Sequence, residues 1–290
     1  MKTNNIITAR VSCVQKNLYT LLPCAEDGTV IFETDAGGDG GTDGITALPE
    51  MTGKLKGKFY NLGLEPPVVG DYVKVFTNEY GDALIDQVLP RKTVFKRPNR
   101  SGHSEAYVKN LLEETIVSNF DYVFIVTSLN QDYSENRIAR YVSITLNTGA
   151  KPVVILSKAD LMKVNAIRDE DGKGRHTTTY RQLFRLQNGV WIMDTPGLRE
   201  IGVLDMEEGI DETFSDVVAL FDQCKFNDCS HTSEPGCAVR KALEDGTLSQ
   251  ERWQTYLQLH TENEWGKAKM MQIAKFTREY QRNRYSGWDL

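Results

Sequence analysis

The 290-residue chain has no apolar run approaching the ~20 residues that span a bilayer, which excludes a membrane-spanning helix. Its start, MKTNNIITARVSC, lacks the apolar core of a secretory signal, so a cytoplasmic protein is expected. An excess of basic charge is missing too. Lys and Arg number 34 against 40 Asp and Glu, a formal net charge of −6. That argues against nucleic-acid binding by the whole surface and leaves local basic patches open. Cysteine is scarce and odd in number, with five residues. Three of them, Cys224, Cys229 and Cys237, cluster beside His231. In a reducing compartment such a cluster reads as metal binding before it reads as disulfides. With 40% hydrophobic and 26% charged residues the rest is ordinary globular material, and the length predicts about two domains.

Residues 1–90 read as β structure. ITARVSCV, NLYTLLPC, TVIFET, DYVKVF and DALIDQVL are short runs rich in β-branched and aromatic residues, separated by turn chemistry such as Glu26-Asp27-Gly28. Five short strands fit a small closed barrel of the oligonucleotide-binding (OB) kind. The stretch DAGGDGGTDG (35–44) reads as a flexible acidic loop in one hairpin. Beyond Leu89-Pro90-Arg91-Lys92 the pattern changes. DYVFIVTSL (121–129) is a continuous apolar run, as strands buried on both faces are. SENRIARYVSITLNTG has helical spacing and a Gly stop, and apolar strands follow at 152–156 and 190–193. Alternating strand and helix predicts a mainly parallel α/β sheet. From Asp211 onward the chain reads as helices around the Cys/His cluster.

Two of these strands end in chemistry. After Val153–Leu156 comes Ser157-Lys158-Ala159-Asp160. An Asp two residues past a Lys can accept both hydrogens on a guanine edge while the Lys stem lies along the base. The second run leads into Asp194-Thr195-Pro196-Gly197, which sets a carboxylate for magnesium and a Gly amide for a terminal phosphate. An ordinary GTPase has Asp-x-x-Gly first; here it comes second, a circularly permuted order. A strand-to-loop turn with a surface Lys and a capping Asp is the plainer reading of the first motif.

PPVVGDYVKV, VLPRKTVFKR, NFDYVFIVTSL, SKADL, KGRHTTTYRQLF, DTPGLRE and CKFNDCSHTSEPGCAV, in this order, resemble the circularly permuted GTPases that mature the small ribosomal subunit, the RsgA family. The resemblance implies a multidomain α/β chain: an OB-fold β-barrel at 1–90, a circularly permuted P-loop GTPase-type α/β domain at 91–205, and a helical zinc-binding domain with a basic tail at 206–290. It implies hydrolysis of GTP to GDP and phosphate with Mg2+, stimulated by the ribosome, in a monomer that binds the small subunit and its rRNA and no membrane. Lys158 and Asp160 become the base-reading pair, with Ser157 where the family usually has Asn. Thr177 and Thr178 resemble the first switch, and Asp194 and Gly197 the second. His176 fits either the handling of the attacking water or an exposed imidazole in a polar loop. Leu198 occupies the position where many GTPases carry a water-orienting Gln.

One part is missing. No G-x-x-x-x-G-K-[ST] occurs in the chain, and only five residues separate Leu161 from Ile167, where the family carries its phosphate loop. Backbone amides at a helix start, a Lys and a Ser/Thr hydroxyl supply most phosphate and magnesium binding, so nucleotide affinity is expected to fall by orders of magnitude. The competing reading is a non-enzymatic ribosome- or rRNA-binding protein that has lost this site.

Cys224-x4-Cys229-x-His231-x5-Cys237 offers three sulfurs and one imidazole, a closed structural zinc set for one ion. Cys13 and Cys24 lie in strand-like segments and read as buried thiols. Two basic runs, Arg91–Arg100 and Lys267–Arg284, the latter interleaved with Phe276 and Tyr280, suit RNA phosphates and stacked bases or a solvated face.

Overall fold

The computed structural model describes residues 6–25, 29, 32–34, 45–47, 50–77, 81–98, 113–128, 133–157, 181–186, 190–195 and 205–285. In chain order the strands are β1 (Ile6–Gln15), β2 (Leu18–Cys24), β3 (Phe32–Thr34), β4 (Ile45–Ala47) and β5 (Met51–Leu55), then helix α1 (Gly57–Asn61), then β6 (Tyr72–Phe76), β7 (Ala83–Val88), β8 (Val94–Pro98), β9 (Glu113–Ser118) and β10 (Tyr122–Ser128). After these come α2 (Glu135–Asn147), β11 (Lys151–Ser157), β12 (Gln182–Arg185), β13 (Trp191–Asp194), α3 (Glu207–Thr213), α4 (Ser215–Phe221), α5 (Ala238–Glu244) and α6 (Gln250–Tyr285). They form two compact units, one of Met1–Lys96, Thr115–Phe120 and Asp169–Glu200, the other of Arg97–Glu114, Asp121–Arg168 and Ile201–Leu290.

The first unit is built on the expected barrel. Its strands run β1-β2-β5-β7-β6 and close by pairing β6 with β1; β5 and β7 are parallel. Alternate side chains of each strand point inward, so Ala9, Val11, Tyr19, Leu21, Val73, Val75, Ala83 and Ile85 form the core with Phe59 from α1. The fifth barrel strand differs from the reading of the sequence. It is MTGKL at 51–55, while residues 32–34 of TVIFET pair with 45–47 in a separate hairpin. MTGKL carries no aromatic or β-branched run, and its one fully buried residue is Gly53, flanked on the inward side by half-buried Met51 and Leu55; a Cβ at Gly53 would lie 2.5 Å from Leu21 Cδ1. The strand is thus held by its neighbours more than by its own propensity. The loop 35–44 lies outside the described residues.

A buried carboxylate ties later segments to the barrel. Asp71 is fully enclosed and accepts two bonds from Arg91, Nε to Oδ1 and Nη2 to Oδ2, both 2.8 Å. Ser118 Oγ donates to the same carboxylate at 2.5 Å and the Val68 amide at 2.8 Å. A forked Arg–carboxylate pair with these extra donors compensates the loss of water.

Strand 190–193 was expected in the parallel sheet. It is instead β13, the outer strand of an antiparallel hairpin with β12, and β12 pairs with β1 at Cys13↔Gln182. A turn closed by the Leu186 amide on the Val190 carbonyl, 2.8 Å, sets that hairpin.

In the second unit β10 and β11 pair in parallel, Phe124 opposite Val153 and Val126 opposite Ile155. Helix α2 begins where Ser134 Oγ accepts the Arg137 amide and ends before Gly149, as its capping signals predict. It packs on one face of the pair, where Ile125 and Ile144 are buried, and leaves Val154 and Leu156 of β11 on that same face 42% and 48% exposed. The opposite face is open: Tyr122, Phe124 and Val126 are 55%, 56% and 65% exposed. The continuous apolar run at 121–129 therefore does not mean burial on both faces here; among the described strands each of the two has only the other as neighbour.

The C-terminal helices pack more completely. Ile210, Phe214, Val217, Val239, Leu248, Trp253, Tyr256 and Leu259 are buried. Asn263, fully enclosed on α6, accepts the Met206 amide at 2.8 Å, and Arg252 forks onto Asp216 while lying 4.7 Å from the Phe214 ring centre. No helix among the described residues is long and apolar enough to cross a membrane.

Candidate functional site

The Cys/His cluster is assembled by three short pieces of backbone. Cys224 follows α4, Cys229 and His231 lie in the succeeding turns, and Cys237 is the N-cap of α5. His231 sits in the left-handed region (φ 61°), a conformation His tolerates better than bulkier residues. Gly236 (φ 80°) turns the chain so that Cys237 comes back to the others. The result is that one ligand atom from each of Cys224, Cys229, His231 and Cys237 lies within 4.8 Å of every other.

The distances fit zinc. Cys224 Sγ and Cys237 Sγ are each 3.6 Å from His231 Nδ1. A tetrahedral ion with Zn–S of ~2.3 Å and Zn–N of ~2.0 Å gives an S···N edge of about 3.5 Å. The surrounding donors favour thiolates. The Ala238 amide points at Cys224 Sγ (3.4 Å) and the Arg240 amide at Cys237 Sγ (3.5 Å), placing the second thiolate at a helix start. Burial opposes ionisation of Cys224, yet the Ala238 and Val239 amides and the two other thiols bring its pKa below the ordinary value. Desolvation and competition from those thiols push Cys229 up to about 11. Desolvation lowers the His231 pKa against the opposing charge of Glu234, so the ring is neutral and able to offer a nitrogen. When bound, zinc would draw off the remaining thiol protons and cross-link the loop. With four protein ligands it has no open position, so its role is structural.

Two supports of this centre had no clear signal in the sequence. Glu234 gathers the loop: its Oε1 accepts the Ser230 amide at 3.0 Å and its Oε2 the Thr232 and Ser233 amides, both 3.1 Å. The Ser230 hydroxyl bond and these amides hold its pKa at about 2. The second support is Phe221, which stacks on the His231 ring at 4.4 Å, with Trp253 edge-on at 6.0 Å. Phe221 reads in the sequence as one more helical apolar residue; only the fold shows that it fixes the ligand's ring.

The nucleotide-site residues are less completely placed. Ser157 ends β11 and donates to the Thr127 carbonyl at 3.2 Å. Asp194 ends β13, exposed, opposite Gln182. Ser157 belongs to the second compact unit and Asp194 to the first. Lys158, Asp160, His176, Thr177, Thr178 and Gly197 lie outside the described residues. The described residues include no glycine-rich strand-to-helix turn with a Lys and a Ser/Thr, and the sequence has no string for one. Among the described residues a magnesium–triphosphate group therefore has no main receptor.

The basic runs are partly committed to structure. Arg91, half-buried, forks onto Asp71 and Arg97 pairs with Glu114 at 2.7 Å, so neither is a free phosphate contact. On α6, Lys267 holds Glu207 and Glu264, whereas Lys269 and Lys275 are exposed. The side chains of Phe276, Arg278, Tyr280, Arg282 and Arg284 lie outside those described.

Comparison with known proteins agrees with this anatomy. The family model described as RsgA GTPase matches residues 88–167 and 162–204. The two matches meet at 162–167, where the sequence is short of a phosphate loop. The small ribosomal subunit biogenesis GTPase RsgA 2 of Listeria monocytogenes serotype 4b (strain F2365) is 37% identical over 286 positions, covering 75% of this chain and 79% of that protein. Its namesake in Methanosarcina acetivorans is 32% identical, covering 72% of each. The fold is shared with YjeQ from Thermotoga maritima (TM-score 0.57, 20% identity, 89% of this chain and 98% of that one). It is shared equally with YloQ, described as a circularly permuted GTPase (TM-score 0.57, 20% identity, 90% and 96%). With a barrel, a permuted order of nucleotide motifs and a Cys/His centre in one chain, and a relative at this identity over three quarters of it, the protein belongs to the RsgA GTPase family.

Proposed function

We propose that this protein is a small-ribosomal-subunit biogenesis factor of the circularly permuted GTPase type. It is divided into a barrel at 1–90, a nucleotide domain at 91–205 and a zinc domain at 206–290, and works in the cytoplasm. The observation that carries the reading is the 37% identity to a protein named for that role, extending over 75% of the chain. Barrel and zinc domain hold the subunit and its rRNA; in the zinc domain one structural Zn2+ fixes the fold and exposed lysines such as Lys269 and Lys275 meet the phosphates.

Of the family's reaction, GTP to GDP and phosphate, the chain retains the guanine readers Ser157, Lys158 and Asp160. It also keeps the switch residues Thr177 and Thr178, His176 for the water, and the Asp194–Gly197 turn. It retains no G-x-x-x-x-G-K-[ST]. That single departure favours a second reading for the chain as it stands, a ribosome-binding protein without GTPase activity.

Co-sedimentation with purified ribosomal subunits tests the binding role that both readings share. The protein is expected to pellet with the small subunit in preference to the large, and to be released steeply as salt rises, because phosphate contacts carry the affinity. Binding that favours the large subunit, or that ignores salt, would end the proposal.

A further inference from the structure

We infer that Arg10 is a positioning residue: it docks the β12–β13 hairpin on the barrel and so places Asp194. Ala9 and Val11 belong to the barrel core, and alternation turns Arg10 between them to the outside of the barrel. It is nevertheless only 7% exposed. Its guanidinium carbon lies 5.2 Å from the Tyr72 ring centre and 5.7 Å from that of Trp191. Nη2 donates to the Asn119 carbonyl at 2.9 Å, and among the described residues Nε has no hydrogen-bond partner and no carboxylate pairs with the group. An apolar side chain would cover the two rings without the cost of burying a charge. The cation, held by the Asn119 carbonyl, adds direction, because it attracts a ring face over one position.

The hairpin has few other ties. Among the described residues β12 meets the barrel at one register pair, Cys13↔Gln182, and β13 pairs only with β12. Strand β13 therefore reaches the barrel through side chains. Trp191 lies on Arg10, and Met193 packs at Gly70, where a Cβ would stand 2.8 Å from Met193 Cε. The Asn119 side-chain amide donates to the Gly70 carbonyl at 3.1 Å, so the group that holds Arg10 also fixes the backbone under Met193. With 191 and 193 on the barrel side, alternation sends Ile192 and Asp194 to the other, where both are exposed. A slip of one residue would turn Asp194 towards the barrel, and the Arg10–Trp191 contact is what opposes it. That Asp194 meets magnesium rests on the proposed function; that Arg10 docks its strand does not.

Hydrogen exchange and Trp191 fluorescence on the full zinc-loaded chain, without nucleotide, test the docking. Arg10→Met keeps the length of the side chain and removes its charge. Exchange at 182–185 and 191–194 is expected to speed about tenfold, the scale of one desolvated cation–π contact, with β6 and β7 unchanged. Emission of Trp191, taken as the difference between the parent and Trp191→Phe, should move to longer wavelength as the ring gains water. Arg10→Lys, which keeps a cation, should recover part of both signals. Trp191→Leu reads the same contact from the hairpin and decides the matter if Arg10→Met loses the barrel; there too 182–185 should speed while β6 and β7 do not. Hairpin exchange that stays at the parent's rate in these variants overturns the proposal. So does a rise in β6 and β7 equal to that in the hairpin of Trp191→Leu, or an Arg10→Lys no better than Arg10→Met.

Discussion

Around the Cys/His centre and in the β10–β11 pair the chain uses the same kinds of large apolar side chain, and it buries them to opposite degrees. In the C-terminal helices Phe214, Trp253, Tyr256 and Leu259 are enclosed, and the ligands are backed by amides and a stacked Phe221. In β10 the alternate residues Tyr122, Phe124 and Val126 stand more than half exposed. The first region is complete within a short stretch of chain, since all four ligands come from 224–237. The second needs a neighbour that lies elsewhere, and the chain is shortest between Leu161 and Ile167, where a parallel sheet would gain its next strand and a nucleotide its phosphate receptor. Local assemblies tolerate the loss of a distant segment; a parallel sheet, whose neighbours are joined by long crossovers, does not.

The largest effect expected from this contrast is at the metal. Cys229→Ala removes one of four ligands, and structural zinc contributes roughly 10–16 kcal/mol in small domains. Metal analysis should show near-stoichiometric zinc in the parent and its loss in the variant, with helicity lost from the C-terminal helices. Retention of helicity without metal would show that apolar packing alone holds that region.

Next comes a paired substitution on the two faces of β10–β11. Ile144→Ala, on the face of α2 that packs against the pair, should destabilise by about 2–5 kcal/mol. Phe124→Thr, on the open face, keeps a strand-forming side chain and should stay within about 0.5 kcal/mol. Denaturant unfolding followed by circular dichroism compares them. Equal losses would mean that the second face is covered after all.

The smallest effect concerns the loop below the metal. Glu234 ionises at about 2 in the folded state, below its ordinary 4.5, so its contribution is full above the ordinary value and fades as pH falls towards the folded one. Glu234→Gln should therefore lower the melting temperature slightly at neutral pH and converge with the parent in acid. A difference that grows in acid would contradict the hydrogen-bonding role.

Legibility in the sequence follows the same contrast. The Cys/His cluster was readable because its four members lie within fourteen residues of one another, and four barrel strands and α2 because their patterns and caps are local. The strand at 51–55 was not, since Gly53 is inward-facing only through its approach to Leu21. Nor was the position of β13, which depends on a pairing between residues as far apart as Cys13 and Gln182. Charge was legible and its commitment was not: nothing in VLPRKTVFKR reveals that Arg91 is sealed against Asp71, twenty residues earlier.

The central claim is that this chain has kept its structural centre and lost its phosphate receptor. Titration of the 290-residue protein with a fluorescent GTP analogue, with magnesium and with small subunits present, tests it most directly. The account predicts no saturable binding in the micromolar range and phosphate release no faster than background. Micromolar affinity with subunit-dependent release of phosphate would contradict it and would assign the phosphate loop's work to another segment of this chain.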